Sequence, residues 1–157
     1  MKVQFLFTLL VVLFATIASA KPLKARGLAG DLVKTVKNLL HHGIGTFFDP
    51  ESEGGSQGAC GPYADENSQI VAMNAHQYGN LNKKSHWCGK KLKICHKTKC
   101  TIATVTDACP GCDNGCLDLT PAVWGQLESD YNKGVIPIAW DEWDGEDEDS
   151  DEDDERT

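Results

Sequence analysis

Beyond residue 20 the sequence has no apolar run near the ~20 residues a membrane-spanning helix needs, so no transmembrane segment is predicted there. It has no strongly basic domain either. The 157-residue chain carries a formal charge of −8, which argues against a nucleic-acid binder. No Asn-x-Ser/Thr acceptor with x other than proline occurs, so N-glycosylation is not expected, and no internal repeat is visible. His41, His42, His76, His86 and His96 form no ligand pair on one helix face and stand beside no evident nucleophile. Acidic residues are missing between Glu66 and Asp107, where Lys83, Lys84, Lys90, Lys91, Lys93, Lys97 and Lys99 make a positive strip. Such a strip is ordinarily a solvated face; one this one-sided also suits acidic wall polymers such as pectin.

What is present begins with a signal-like segment. Lys2 is followed by an apolar run from Val3 to Ile17 and by Ala18-Ser19-Ala20, the pattern of a secretory signal at residues 1–20. Residues 21–42 form a basic leader or propeptide of charge +4, with Leu28, Leu32, Val33, Val36, Leu39 and Leu40 at helical spacing. Residues 141–157 hold twelve acids against Arg156, a charge of −11, and are expected to be disordered because they can bury no core. That leaves one domain at 43–140.

All seven cysteines, Cys60, Cys88, Cys95, Cys100, Cys109, Cys112 and Cys116, fall inside that domain. Behind a signal segment they predict disulfides, with one thiol left over from three bridges. Cys95 and Cys100 flank a turn-like His-Lys-Thr-Lys and suit a cross-strand bridge. Cys109-Pro-Gly-Cys112 has zinc-ligand spacing, but it lacks a second such pair, so a disulfide is favoured and no metal or cofactor is expected.

From Gly43 the apolar period shortens to strands at Ile44–Phe48, Ile70–Asn74, Leu92–Cys95, Thr101–Thr106 and Val135–Trp140, separated by Gly, Asn, Asp and Pro. One helix is predicted, with Thr120 as cap, Pro121 at its first position and Val123, Trp124 and Leu127 on its apolar face.

Six motifs follow one another in this core: Gly45-Thr46-Phe47-Phe48-Asp49, Gly58-Ala59-Cys60-Gly61, Ile70-Val71-Ala72-Met73-Asn74, Cys88-Gly89-Lys90-Lys91, Val105-Thr106-Asp107-Ala108-Cys109-Pro110-Gly111-Cys112 and Leu117-Asp118-Leu119-Thr120-Pro121. In this order and spacing they resemble the RlpA-like, expansin and barwin-related group, and most closely its single-domain secreted members such as the loosenins. The resemblance spans residues 43–140. It implies an all-β fold, a disulfide-stapled six-stranded double-psi β-barrel with one or two short helices and an open groove that grips a glycan.

Asp118 lies between two leucines, so alternation along a strand sends Leu117 and Leu119 inward and Asp118 outward. Apolar flanks favour a raised pKa, suited to donating a proton or a strong hydrogen bond. The resemblance implies more: the matching aspartate is the one on which expansin activity depends and the general acid of related endoglucanases. Asp107 matches a groove aspartate and Thr46 a groove threonine of bacterial expansins. On its residues alone, Asp107 equally suits a turn, accepting backbone N–H groups before Ala-Cys-Pro-Gly, and Asp118 could help cap the helix at Thr120.

Hydrolysis needs a second carboxylate. Where the endoglucanase relatives carry Thr-x-Tyr-x-Asp, this chain reads Thr46-Phe47-Phe48-Asp49, one residue shorter, which turns Asp49 to the opposite face. Asp49 is expected to open a turn before Pro50 instead. Cys109 stands where bacterial expansins have a groove tyrosine, and only the acidic tail follows Trp140, where full expansins have a second domain. Tyr63, Tyr78 and Trp87 fall in predicted loops and are candidate sugar-stacking residues of the groove rim, whereas Trp124 and Trp140 are expected in the core.

The leading expectation is a secreted, extracellular, monomeric protein that binds and loosens cell-wall polysaccharide without hydrolysis, through Asp118 and Asp107 as the candidate catalytic pair and Thr46, Tyr63, Tyr78 and Trp87 as substrate contacts. Neither nucleic acid nor membrane is an expected partner. The competing expectations are a cysteine-protease inhibitor or host-interacting effector on the same fold, using the loops around Tyr63 and Cys109 to Cys116, and a weak glycoside hydrolase or lytic transglycosylase.

Overall fold

The computed structural model describes residues 39–145. The expected signal segment, most of the leader and the tail beyond Gly145 lie outside the described residues.

Six strands are arranged around one core. They are β1 (His41–Phe47), β2 (Ile70–Asn74), β3 (Lys91–His96), β4 (Lys99–Cys109), β5 (Leu117–Leu119) and β6 (Ile136–Glu142). They close into a barrel in the order β1-β5-β2-β4-β3-β6. The β1/β5 and β2/β4 pairings are parallel, and the others are antiparallel. Two short helices, α1 (Ala75–Tyr78) and α2 (Pro121–Leu127), and a 3-10 turn at Tyr131–Lys133 complete the described elements.

Alternation decides which side chains fill the barrel. Val71 and Met73 of β2, Leu92 and Ile94 of β3, Ala103 and Val105 of β4, Leu117 and Leu119 of β5, and Ile136, Ile138 and Trp140 of β6 belong to one buried cluster. Helix α2 adds Val123, Trp124 and Leu127. Trp124 and Trp140 are fully buried, as expected, and the Trp140 indole donates to the Gly115 carbonyl at 2.7 Å.

The outer strands run further than the hydrophobic pattern suggested. β1 starts at His41, which pairs with Trp140, and β6 continues to Glu142, which pairs with Leu92. Strand partners fixed these ends, because ladder hydrogen bonds are indifferent to side-chain polarity. Thr120 does precede α2, but its hydroxyl donates to the carbonyls of Ser68 and Ile70 at 2.6 and 3.1 Å instead of capping the helix.

Three disulfides form, Cys60–Cys88, Cys95–Cys100 and Cys109–Cys112, and Cys116 is the free, buried seventh cysteine. Cys95–Cys100 is the expected cross-strand bridge, joining register partners on β3 and β4. Cys60–Cys88 ties the loop before β2 to the loop before β3 across 28 residues of sequence, a closure that removes much chain freedom from the unfolded state.

Candidate functional site

Four residues from four strands lie in one cross-strand row. Thr46 pairs with Asp118, Asp118 with Ala72, and Ala72 with Asp107. Side chains directly opposite one another on adjacent strands share a face. Because Leu117, Leu119, Val71 and Met73 point into the core, this row points out of it. Ala72 at its centre is small and covered, and so separates the two aspartates without filling the space above them.

Asp107 joins the row only because of a bulge. Val71 pairs with Val105, but Ala72 pairs with Asp107, so the ladder skips Thr106. Without that extra residue Thr106 would face Ala72, and Asp107 would take the opposite face; re-aiming a side chain in this way is what bulges do.

The Thr46 hydroxyl donates to Asp118 Oδ1 at 2.5 Å, fixing the carboxyl group's orientation. Asp118 is half-buried, and burial pushes its pKa above the ordinary carboxylate range, with the negative charges of Glu53 and Asp107 adding to the rise. The Thr46 hydrogen bond acts the other way by favouring the charged form. The result is a carboxyl group that keeps its proton to a higher pH than an ordinary aspartate.

Asp107 is held from the other side. Its Oδ1 accepts the backbone N–H groups of Ala59 at 2.7 Å and Ala108 at 2.8 Å. Gly58 permits this: a Cβ there would sit 2.4 Å from the Thr106 carbonyl oxygen, so only glycine lets the loop press so closely on β4. The turn-forming and row-facing readings of Asp107 thus coexist. Beside it Phe48, Pro50, Gly58, Ala64 and Asp107 border a cleft of about 160 Å³ counted out to open solvent. That is smaller than the ~300–1,000 Å³ of enclosed small-molecule pockets.

The Asp118 carboxylate also abuts the Cys109–Cys112 disulfide, with one oxygen and both Sγ atoms within 4.8 Å of one another.

No protein-family profile matches the chain. Among curated proteins it is similar to the Allergen Asp f 7 homolog of Arthroderma benhamiae, 37% identical over 83 residues, covering 52% of this chain and 27% of that protein. It is 30% identical over 108 residues to ripening-related protein grip22 of Vitis vinifera, covering 59% of this chain and 47% of that one. Kiwellin of Actinidia chinensis var. chinensis is 31% identical over 108 residues, covering 59% and 49%. The chain thus spans about half or less of these relatives. Among solved structures, the apo expansin of Clavibacter michiganensis superposes with a TM-score of 0.56 at 26% identity, covering 68% of this chain and 52% of that one. A point mutant of that expansin in complex with cellohexaose gives 0.55 at 25% identity, covering 66% and 50%. The Streptomyces papain inhibitor gives 0.54 at 26% identity, covering 66% of this chain and 94% of that one. The fold is the double-psi β-barrel of the expansin group.

This double-psi barrel places Tyr78 and Trp87 apart from the row. Tyr78 is a correction: it is not a groove-rim residue but is 3% exposed, with its hydroxyl 3.9 and 3.6 Å from the sulfurs of Cys60 and Cys88. Asn74 causes this. Its side chain accepts the Gln77 N–H at 2.9 Å and starts helix α1, which turns Tyr78 back onto the core where a loop was expected. Trp87 is half-buried, with its ring 5.8 Å from Trp140 and 6.4 Å from His41, at the opposite end of β1 from Thr46. Tyr63 is 75% exposed, on the loop that carries Ala59. Asp49 opens the turn expected of it, its carboxylate accepting from the Glu51 N–H at 3.0 Å and the Ser52 hydroxyl at 2.9 Å.

Sequence reasoning missed Ala72, Glu53 and Glu128. No local pattern marks Glu53, whose charge reaches Asp118 only across the folded barrel. Glu128, at the end of α2, meets His96 at 3.8 Å and Lys97 at 3.7 Å and forms a close ion pair with Lys133. In the lysine strip, Lys90 pairs with Glu142 at 2.6 Å and Lys91 lies over the Trp143 ring at 5.2 Å. Strand β3, which carries Lys91 and Lys93, is three places from the Asp118 strand β5 around the barrel but adjacent to β4, which carries Asp107.

Proposed function

We propose that this chain is an exported protein that binds a strand of cell-wall polysaccharide along the Thr46–Asp118–Ala72–Asp107 row and loosens non-covalent contacts between strands without cleaving them. The observation that carries this reading is the row itself: two aspartates facing outward on an open surface, one oriented by Thr46 and the other by two backbone amides. Asp118 offers sugar hydroxyls an acceptor when ionised and a donor when protonated. Each contact it makes replaces one that the glycan made with a neighbouring strand. Support also comes from the similarity to an expansin solved with cellohexaose. Three disulfides fit an oxidising, extracellular setting.

The experiment compares wild type with Asp118→Asn for polysaccharide pull-down and for reducing-sugar release. Pull-down lost in the variant, with no sugar released by either protein, is the expected result. Sugar release by wild type that disappears in the variant would establish an enzyme and overturn the non-lytic reading.

A second reading, cysteine-protease inhibition, is favoured by the match to the papain inhibitor along 94% of that chain and by the exposure of Tyr63. Papain inhibition that survives Asp118→Asn and is lost in Tyr63→Ala would select it.

A further inference from the structure

The Cys109–Cys112 bridge differs from the other two disulfides in three respects. Both of its cysteines are partly exposed, whereas each of the other bridges pairs one partly exposed cysteine, Cys88 or Cys100, with a buried one, Cys60 at 7% or Cys95 at 1%. It spans the shortest separation, 3 residues against 5 for Cys95–Cys100 and 28 for Cys60–Cys88, so opening it releases little chain entropy to the unfolded state. It also lies against a carboxylate from another strand, Asp118, with all three donor atoms within 4.8 Å.

We propose that Cys109–Cys112 is a reducible pair whose opened thiols, together with the Asp118 carboxylate, form a binding site for a soft divalent cation of the zinc class. The Cys-x-x-Cys spacing is that of zinc ligands. Tetrahedral ligation at Zn–S distances of about 2.3 Å asks the two sulfurs to stand about 3.7 Å apart, so they must move apart once the bond between them is reduced. The connecting Pro110-Gly111 segment is exposed, and a Cβ built on Gly111 meets nothing within 4 Å, so the loop has room for that adjustment. Three protein ligands leave the fourth position for water on the open face of the row.

The chemistry balances with an external dithiol as reductant. Its thiolate attacks one Sγ, the S–S bond breaks, and the other sulfur leaves as a thiolate. The second thiol of the reductant then displaces the first cysteine, so the reductant departs as a disulfide and the protein holds a dithiol. A divalent cation binds with release of the two thiol protons.

The assignment is independent of the saccharide reading, because the metal alone is the readout. In a Cys116→Ser background, which removes the free thiol, the protein is treated with graded dithiol, alkylated and mapped by mass spectrometry. Cys109 and Cys112 should open before the other pairs. After removal of the reductant, cobalt(II) should bind at one per chain with a thiolate-to-cobalt absorption band. Binding should be absent from the oxidised protein and from Cys109→Ser/Cys112→Ser, and at least about tenfold weaker in Asp118→Asn. Opening of the bridge only together with the other two, or cobalt bound equally by the double serine variant, would overturn the site. Cobalt bound with unchanged affinity by Asp118→Asn would overturn its third ligand.

Discussion

Thr46 and Asp118 stand 72 residues apart in sequence and directly opposite each other on parallel strands, the hydroxyl of one 2.5 Å from the carboxylate of the other. The threonine opposes the effect of burial on the aspartate. Thr46→Val should therefore raise the Asp118 pKa further, readable as an upward shift of its carboxyl carbon resonance midpoint. An unchanged midpoint would mean that the hydrogen bond does not govern the titration.

Asp118→Asn tests the cost of that charge. The folded pKa lies above the ordinary 3.8, so the folded chain holds this proton more tightly than the unfolded chain does. Its contribution to stability is accordingly lost as pH rises through the folded pKa. At pH 7 the variant should be as stable as wild type or slightly more so, by less than about 1 kcal/mol because solvent screens a half-exposed group. The gap should close below pH 3.8. A marked fall in thermal midpoint at pH 7 would contradict this.

Asp107→Ala should cost about 1–3 kcal/mol in denaturant unfolding, because the Ala59 and Ala108 amides lose their shared acceptor. Asp107→Asn keeps an oxygen at that point and should cost less. Gly58→Ala should disturb the same joint from the loop side, since its Cβ would strike the Thr106 carbonyl.

Tyr78 and Tyr63 should behave oppositely. Tyr78→Ala removes a buried ring beside a disulfide and should cost about 3–5 kcal/mol. Tyr63→Ala should leave the unfolding midpoint within about 0.5 kcal/mol of wild type, so any change in ligand or protease binding there reports contact and not folding.

Glu128 sets an acid limit. The Lys133 ammonium, the Asp130 N–H and Lys97 hold its carboxyl at about 2, below the ordinary 4.5. The stabilisation this gives is complete above pH 4.5 and is lost as pH falls through about 2. Glu128→Gln should lower the thermal midpoint at pH 7, and the difference from wild type should shrink below pH 4.5 and vanish below about pH 2. A constant difference across that range would show that the carboxylate's charge is irrelevant.

The strands, the helix after Thr120, the two core tryptophans, the odd cysteine and the Cys95–Cys100 bridge were legible because each rests on spacing within a few residues. Leu117-Asp118-Leu119 is the clearest case, since alternation alone sends its carboxylate outward. Asp107 was ambiguous for a physical reason: its face depends on a bulge created by pairing with β2, more than thirty residues earlier in the chain. Tyr78 misled because a single Asn74 cap converts an apparent loop into a helical turn.

The sequence by itself determined the period of each strand, which fixes the inward residues, and the number of thiols left unpaired. Only the tertiary structure decided which outward residues meet. It brought Thr46 to Asp118, Asp118 to the Cys109–Cys112 bridge and Glu128 to His96, Lys97 and Lys133, because those neighbours are chosen by closure of the barrel and its register, which no local pattern encodes.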